Sequence, residues 1–235
     1  MEVRSGLAAA LNDGPPVVPR PSASVLLVDA STRPWQVLMM RRPRAADFAP
    51  GVYVFPGGSV HGEDGATEVD DVCRAAAVRE LFEEVGILLA RRRGRLVRDR
   101  ECDELRRLLS DGCPWPRALR ELELTPAGDR LTFLCRWITP EAVARRYDTR
   151  FYLARRPAGQ TVQPHPGEVV DWCWTSPTEA LATLPLVHAT RRILESVAEE
   201  ADVSRLIRRL RRRREAPPIM PRIVRRPDGG VEIVD

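Results

Sequence analysis

Apolar positions along the chain fall into two rhythms. Short apolar runs from Ser24 to Val28 and from Trp35 to Met40 read as buried strands, joined through the turn-rich segment Asp29 to Pro34. Leu131 to Ile138 and Thr149 to Ala154 read as further strands, the second opening a hairpin toward Val169 to Trp174. Between these strand pairs, from about Val69 to Val85, Ala75, Val78, Leu81, Phe82 and Val85 recur at helical spacing and predict a helix with one apolar face. The Leu- and Arg-rich stretch after it, about 88–125, alternates helix and loop around the break at Cys113-Pro114-Trp115-Pro116 and reads as a helical insertion.

Punctuation sets the remaining elements. Ser176-Pro177-Thr178-Glu179 combines an N-cap Ser, a Pro at the first helical position and a Glu at the third, which together start a helix. Helices are expected from His188 to Glu200 and from Val203 to Arg214. The latter carries an apolar stripe of Val203, Leu206, Ile207 and Leu210 under a solvated basic face. Pro227-Asp228-Gly229-Gly230 suits a turn between two short strands. The expected organisation is a flexible arm over 1–21, a domain over 22–200, and a basic helix with short strands over 201–235 packed on that domain.

Composition narrows the class. At 235 residues the chain can bury a substantial core, and no apolar run approaches the roughly 18 residues of a membrane span. No secretory-type apolar segment follows Met1, and five widely spaced cysteines form neither a zinc pattern nor a tidy disulfide framework. A cytoplasmic protein without membrane association is therefore expected. All 37 basic residues are Arg, which suits phosphate recognition through its planar fork, although a GC-rich genome alone accounts for most of that bias. A net charge of +4 is too small to imply a nucleic-acid partner, and His61, His165 and His188 are too scattered to suggest zinc. Trp172 and Trp174 could stack on a base, but strand core is the preferred reading.

The candidate chemistry lies in Arg79-Glu80-Leu81-Phe82-Glu83-Glu84-Val85-Gly86-Ile87, downstream of Phe55-Pro56-Gly57-Gly58. On a helix Glu80, Glu83 and Glu84 share one face, and three like charges within two turns repel. A divalent cation reverses the sign of that interaction, and all-oxygen donors suit Mg²⁺ or Mn²⁺. Alone, such a cluster usually reads as a solvated face.

The run Arg-Glu-apolar-x-Glu-Glu-x-Gly-apolar after a Pro-Gly-Gly turn resembles the core of the Nudix box. The resemblance implies an α/β fold, the Nudix α/β/α sandwich with a mixed sheet, here carrying the helical insertion. It also implies metal-dependent hydrolysis of a nucleoside diphosphate derivative. By position it makes Glu80, Glu83, Glu84 and the Gly58 carbonyl metal ligands, and Arg79 the cation that orients them. Glu168 is the candidate base, and Arg41, Arg42 and Arg44 are candidates for the substrate phosphates. The box runs Gly, five residues, Glu, seven residues, Arg. Counted from Gly58 the interval to Arg79 is seven residues too long, whereas counting back from Arg79 gives Gly65 and Asp71. An insertion after Gly58 is preferred, with Asp71 supporting the helix start.

Flanking segments, among them Arg41 to Gly58, Arg136 to Pro140, Arg146 to Tyr152 and Glu168 to Trp172, resemble the Nudix branch typified by the peroxisomal acyl-coenzyme A diphosphatase. Coenzyme A or an acyl-coenzyme A is thus the expected substrate. Pro43 and Asp47 nevertheless stand where the related coenzyme A signature has a small residue and an Arg. A broader diphosphatase of ADP-ribose, dinucleotides or nucleotide sugars is one alternative, and a non-catalytic Nudix module binding nucleotide or RNA is another. The intact Glu set argues against the last. A homodimer is left open.

Overall fold

A computed structural model describes residues 11–12, 14–46, 49–65, 68–213, 217–225 and 231–234. Its centre is a mixed sheet ordered β10-β2-β1-β9-β8. The strands are β1 (Arg20–Asp29), β2 (Gln36–Arg41), β8 (Thr132–Ile138), β9 (Tyr147–Arg155) and β10 (Asp171–Thr175). β1 runs parallel to β9, and the other neighbours in that order are antiparallel. Two short strands complete it: β3 (Tyr53–Val54) pairs with β2, and β4 (Gly57–Ser59) pairs with β1. β1 begins at Arg20, and before it Leu11 bridges to Val143 while the Val17 carbonyl accepts a hydrogen bond from Arg146.

The central strands are apolar on both faces, as a sheet covered on both sides requires. Val25 and Leu27 face one core with Leu38 and Met40, while Leu26 and Val28 face the other with Val37 and Met39. Over the first core lies α1 (Val69–Val85), contributing Cys73, Ala76, Ala77, Val78, Leu81, Phe82 and Val85. Over the second lie α4 (Pro177–Thr183), α5 (His188–Val197) and α6 (Val203–Arg212). This is the expected α/β/α sandwich. Ser176 caps α4 through its hydroxyl, which accepts from the Glu179 amide at 3.2 Å, and Asp202 caps α6 in the same way.

Two expectations change. The segment after α1 is not purely helical: α2 (Asp99–Ser110) and α3 (Trp115–Glu121) pack with a small sheet of β5 (Ala90–Arg92), β6 (Arg95–Leu96) and β7 (Leu124–Pro126). Gln160 ties this unit to the domain, its side chain bonding both the amide and the carbonyl of Leu88 and the carbonyl of Val97. Nor does β9 turn back into β10. β10 crosses to the far edge and pairs with β2, because β9 is already flanked by β1 and β8. Near the end, β11 (Arg222–Arg225) and β12 (Val231–Val234) form a separate antiparallel pair, and the turn expected at 227–230 lies outside the described residues.

Candidate active site

Helix α1 begins at Val69 and ends where Gly86, at φ 73°, takes the left-handed conformation that glycine adopts without strain, its amide bonding the Phe82 carbonyl at 2.8 Å. Both ends agree with the expected limits. The carboxylate face is not solvated. Arg79 is 1% exposed, and Glu80 and Glu84 are buried, leaving Glu83 half-exposed at the rim.

Arg79 organises the cluster. Its Nε and Nη2 donate to the two oxygens of Asp64 at 2.9 and 3.1 Å, and Nη1 donates to Glu80 at 2.9 Å and Glu83 at 2.8 Å. Nη2 also reaches the Ser59 carbonyl at 2.9 Å. A buried guanidinium with these partners stays charged, and the carboxylates around it push its pKa up against the desolvation that opposes it.

Gly57 and Gly58 bring a strand against this face. The Gly57 amide donates to Glu84 Oε2 at 2.6 Å. A Cβ on Gly57 would lie 2.3 Å from the Ala23 carbonyl, and one on Gly58 would lie 2.4 Å from the Glu80 carboxyl carbon. Only glycine lets β4 pair with β1 and touch α1 at once. The insertion alignment therefore fits the geometry, since the Pro-Gly-Gly loop meets the carboxylates.

Asp64 was missed as a site residue. It stands six positions after Gly58, the interval that separates Gly from Glu in the box, so the spacing could have found it. The insertion lies between Asp64 and α1. Asp71 is exposed in the first turn of that helix, beside a cavity of about 390 Å³ that it lines with Arg74, Pro126 and Gly128. The expected supporting place at the helix start is kept, and the Arg79 partnership goes to Asp64.

Glu168 sits in a loop pinned to the end of α1, where the amides of Gln163 and His165 donate to the Val85 and Glu84 carbonyls at 2.9 and 2.8 Å. Its side chain is 55% exposed and close enough to Glu84 for their charges to interact. Arg42 Nη1 lies 3.9 Å from Glu84 Oε1. Arg41 points elsewhere, donating to the Gly51 carbonyl at 2.9 Å over the Tyr53 ring, and Arg44 is exposed. Asp47 lies outside the described residues.

Electrostatics favour a cation here. Burial drives the Glu84 carboxyl well above the ordinary range, only partly opposed by the Gly57 amide, and burial likewise raises Glu80 against the pull of Arg79. Four carboxylates (Asp64, Glu80, Glu83, Glu84) face two guanidinium groups. Among the described residues no three acidic, His or Cys side chains converge as a ready-made cage, because Arg79 holds Glu80 and Glu83 while the Gly57 amide holds Glu84. The donor set still fits a hard divalent ion: every donor is oxygen, the negative charge is in excess, and glycine at 58 leaves open the space beside Glu80 that a side chain would fill.

The family model of the NUDT19 Nudix domain matches residues 67–186, slightly more than half of the chain. A putative nudix hydrolase 7 of Caenorhabditis elegans is 32% identical over 162 residues, covering 69% of this chain and 53% of that protein. The human acyl-coenzyme A diphosphatase NUDT19 is 33% identical over 137 residues, covering 49% and 35%. The chain thus spans about half the length of the first relative and about a third of the second. Among solved structures, a NUDIX hydrolase from Alicyclobacillus acidocaldarius superposes with a TM-score of 0.68 at 23% identity, over 82% of this chain and 96% of that one. Nudix hydrolases use divalent metal ions, which the buried carboxylates suit. The chain belongs to the Nudix hydrolase family, and its Nudix domain is of the NUDT19 kind.

Proposed function

We propose that the chain hydrolyses the diphosphate of a nucleoside diphosphate derivative, with coenzyme A and its acyl esters as the substrate class. The observation that carries the reading is the buried, cation-seeking carboxylate set on α1, held against Gly57 and Gly58 by Arg79 and the Gly57 amide. The coenzyme A assignment rests on the likeness to acyl-coenzyme A diphosphatases. Glu80, Glu83 and Glu84 with the Gly58 carbonyl would hold Mg²⁺ or Mn²⁺, which when bound neutralises diphosphate charge and acidifies water.

Each remaining role follows from position. Arg79, hydrogen-bonded to Glu80 and Glu83, orients both without touching substrate. Arg42, beside Glu84, is the best placed of the three candidate arginines to meet a phosphate. Arg41 fixes the loop at Gly51, and Arg44 offers a charge at the surface. Glu168, exposed next to Glu84, takes the proton of the attacking water. Among the described residues no helix is long and apolar enough to cross a membrane, and the lack of a cysteine framework favours the cytoplasm.

Acetyl-coenzyme A, coenzyme A, ADP-ribose and a dinucleoside polyphosphate, incubated with Mg²⁺ or Mn²⁺ and resolved by mass, test the reading. Cleavage of the coenzyme A compounds at the diphosphate, giving a phosphopantetheine and adenosine 3′,5′-bisphosphate, is expected. Rapid cleavage of ADP-ribose alone would replace the substrate class, and no cleavage of any compound would overturn the enzymatic reading.

A further inference from the structure

The sheet row that carries Arg42 continues onto an exposed aromatic residue. Along β2, Met40 faces the core under α1, and by alternation Arg42 points to the same side. Across the antiparallel pair to β10, Trp172 lies opposite Met40, and the amide of Val170 bonds the Arg41 carbonyl. Trp172 therefore stands diagonal to Arg42 on the α1 side of the sheet. Directly opposite residues lie about 5 Å apart and diagonal ones about 7–8 Å. Trp172 is 36% exposed and Val170 57% exposed, whereas Trp174, one pleat further, is packed against the core and under Arg156. The strand-core reading thus fits Trp174 and fails for Trp172.

We infer that Trp172 is the platform on which the nucleoside base of the substrate stacks, so that it sets specificity for the nucleoside half. The inference rests on the diphosphatase reading above and names a subsite that the reading leaves open. Arg42, 3.9 Å from Glu84, marks the phosphate pole. A base is separated from its 5′-diphosphate by one ribose, which matches the diagonal step from Arg42 to Trp172. An indole face offers area for stacking with little entropy to lose. Stacking on an aromatic ring accepts any base, so the site favours nucleoside diphosphates over simple diphosphates without choosing strongly among bases.

Calorimetric titration with ADP and with inorganic pyrophosphate, both in Mg²⁺, tests this without needing turnover. Wild type binds ADP more tightly than pyrophosphate. Trp172→Ala weakens ADP about tenfold and leaves pyrophosphate unchanged, while Trp172→Phe keeps most of the ADP affinity; all three proteins melt at the same temperature. Undiminished ADP binding by Trp172→Ala, or an equal loss for both ligands, would overturn the platform. If wild type binds neither ligand, the diphosphatase reading fails first, and the platform falls with it.

Discussion

Arg79 is a buried cation whose guanidinium is shared among three carboxylates, and only Asp64 meets it with both oxygens. Removing one partner of a buried pair leaves the other charge under-compensated. Asp64→Ala should therefore destabilise the protein by about 3 kcal/mol, near the lower end for broken buried pairs because Glu80 and Glu83 remain. Asp71→Asn, at an exposed position, should stay within about 0.5 kcal/mol of wild type. Urea denaturation of both variants checks this, and the reverse order would restore the alignment through Gly65. At this scale the sequence revealed the charged face and its cation but not its burial. Helical spacing places side chains on a face, while what covers that face depends on β4, some twenty residues upstream.

Elements show where local pattern stops being informative. The limits of α1 were legible because Gly86 ends the helix through a left-handed turn that few residues tolerate. The partner of β10 was not legible, since alternation fixes which side chains share a face but not which strand lies alongside. The three-stranded sheet in the insertion escaped notice for a related reason: strands of two or three residues carry too few positions for a period. The contact between β4 and α1 yields the second prediction. Gly58→Ala places a methyl 2.4 Å from the Glu80 carboxyl carbon, so the carboxylate must move and activity should fall at least about tenfold. Gly65, which the insertion alignment leaves outside the site, has φ 45°, so Val would be strained there whatever its distance from the site. Gly65→Asn is the fair control, because Asn accepts that conformation, and it should retain near-wild-type activity in the same assay.

At the scale of the whole molecule, α1 is held to the sheet by a hydrogen bond from Tyr152 of β9 to the Asp70 carboxylate as well as by apolar packing. Burial raises the Asp70 carboxyl, but hydrogen bonds from the Tyr152 hydroxyl and Arg74, both at 2.7 Å, outweigh it and hold the group below its ordinary 3.8. A carboxylate depressed in the folded state contributes stability above its unfolded pKa, and that contribution is lost as pH falls through the folded value. Asp70→Asn should thus melt below wild type at pH 7, with the gap closing below about pH 4. A gap that held constant or widened in acid would contradict this role for Asp70.

Cation binding should couple the same helix to global stability. Glu80 and Glu84 are buried, with Glu83 at their rim and more negative than positive charge around them, so an ion bound there stabilises the folded chain but finds no formed site in the unfolded one. At one hundred times Kd this linkage is worth about 2.7 kcal/mol, or a rise in Tm of roughly 5–10 °C for a chain of this length. Glu84→Gln keeps the side-chain volume and leaves a carbonyl oxygen for the Gly57 amide, so the fold should survive without the ion. Scanning calorimetry with and without Mg²⁺ or Mn²⁺ should show the rise in wild type, little rise in Glu84→Gln or Glu83→Gln, and turnover lost in both. A full rise in both variants would place the ion elsewhere. No rise in wild type at saturating metal would mean that Arg79 and the Gly57 amide already satisfy these carboxylates, and the assignment of Glu80, Glu83 and Glu84 as metal ligands would have to be abandoned.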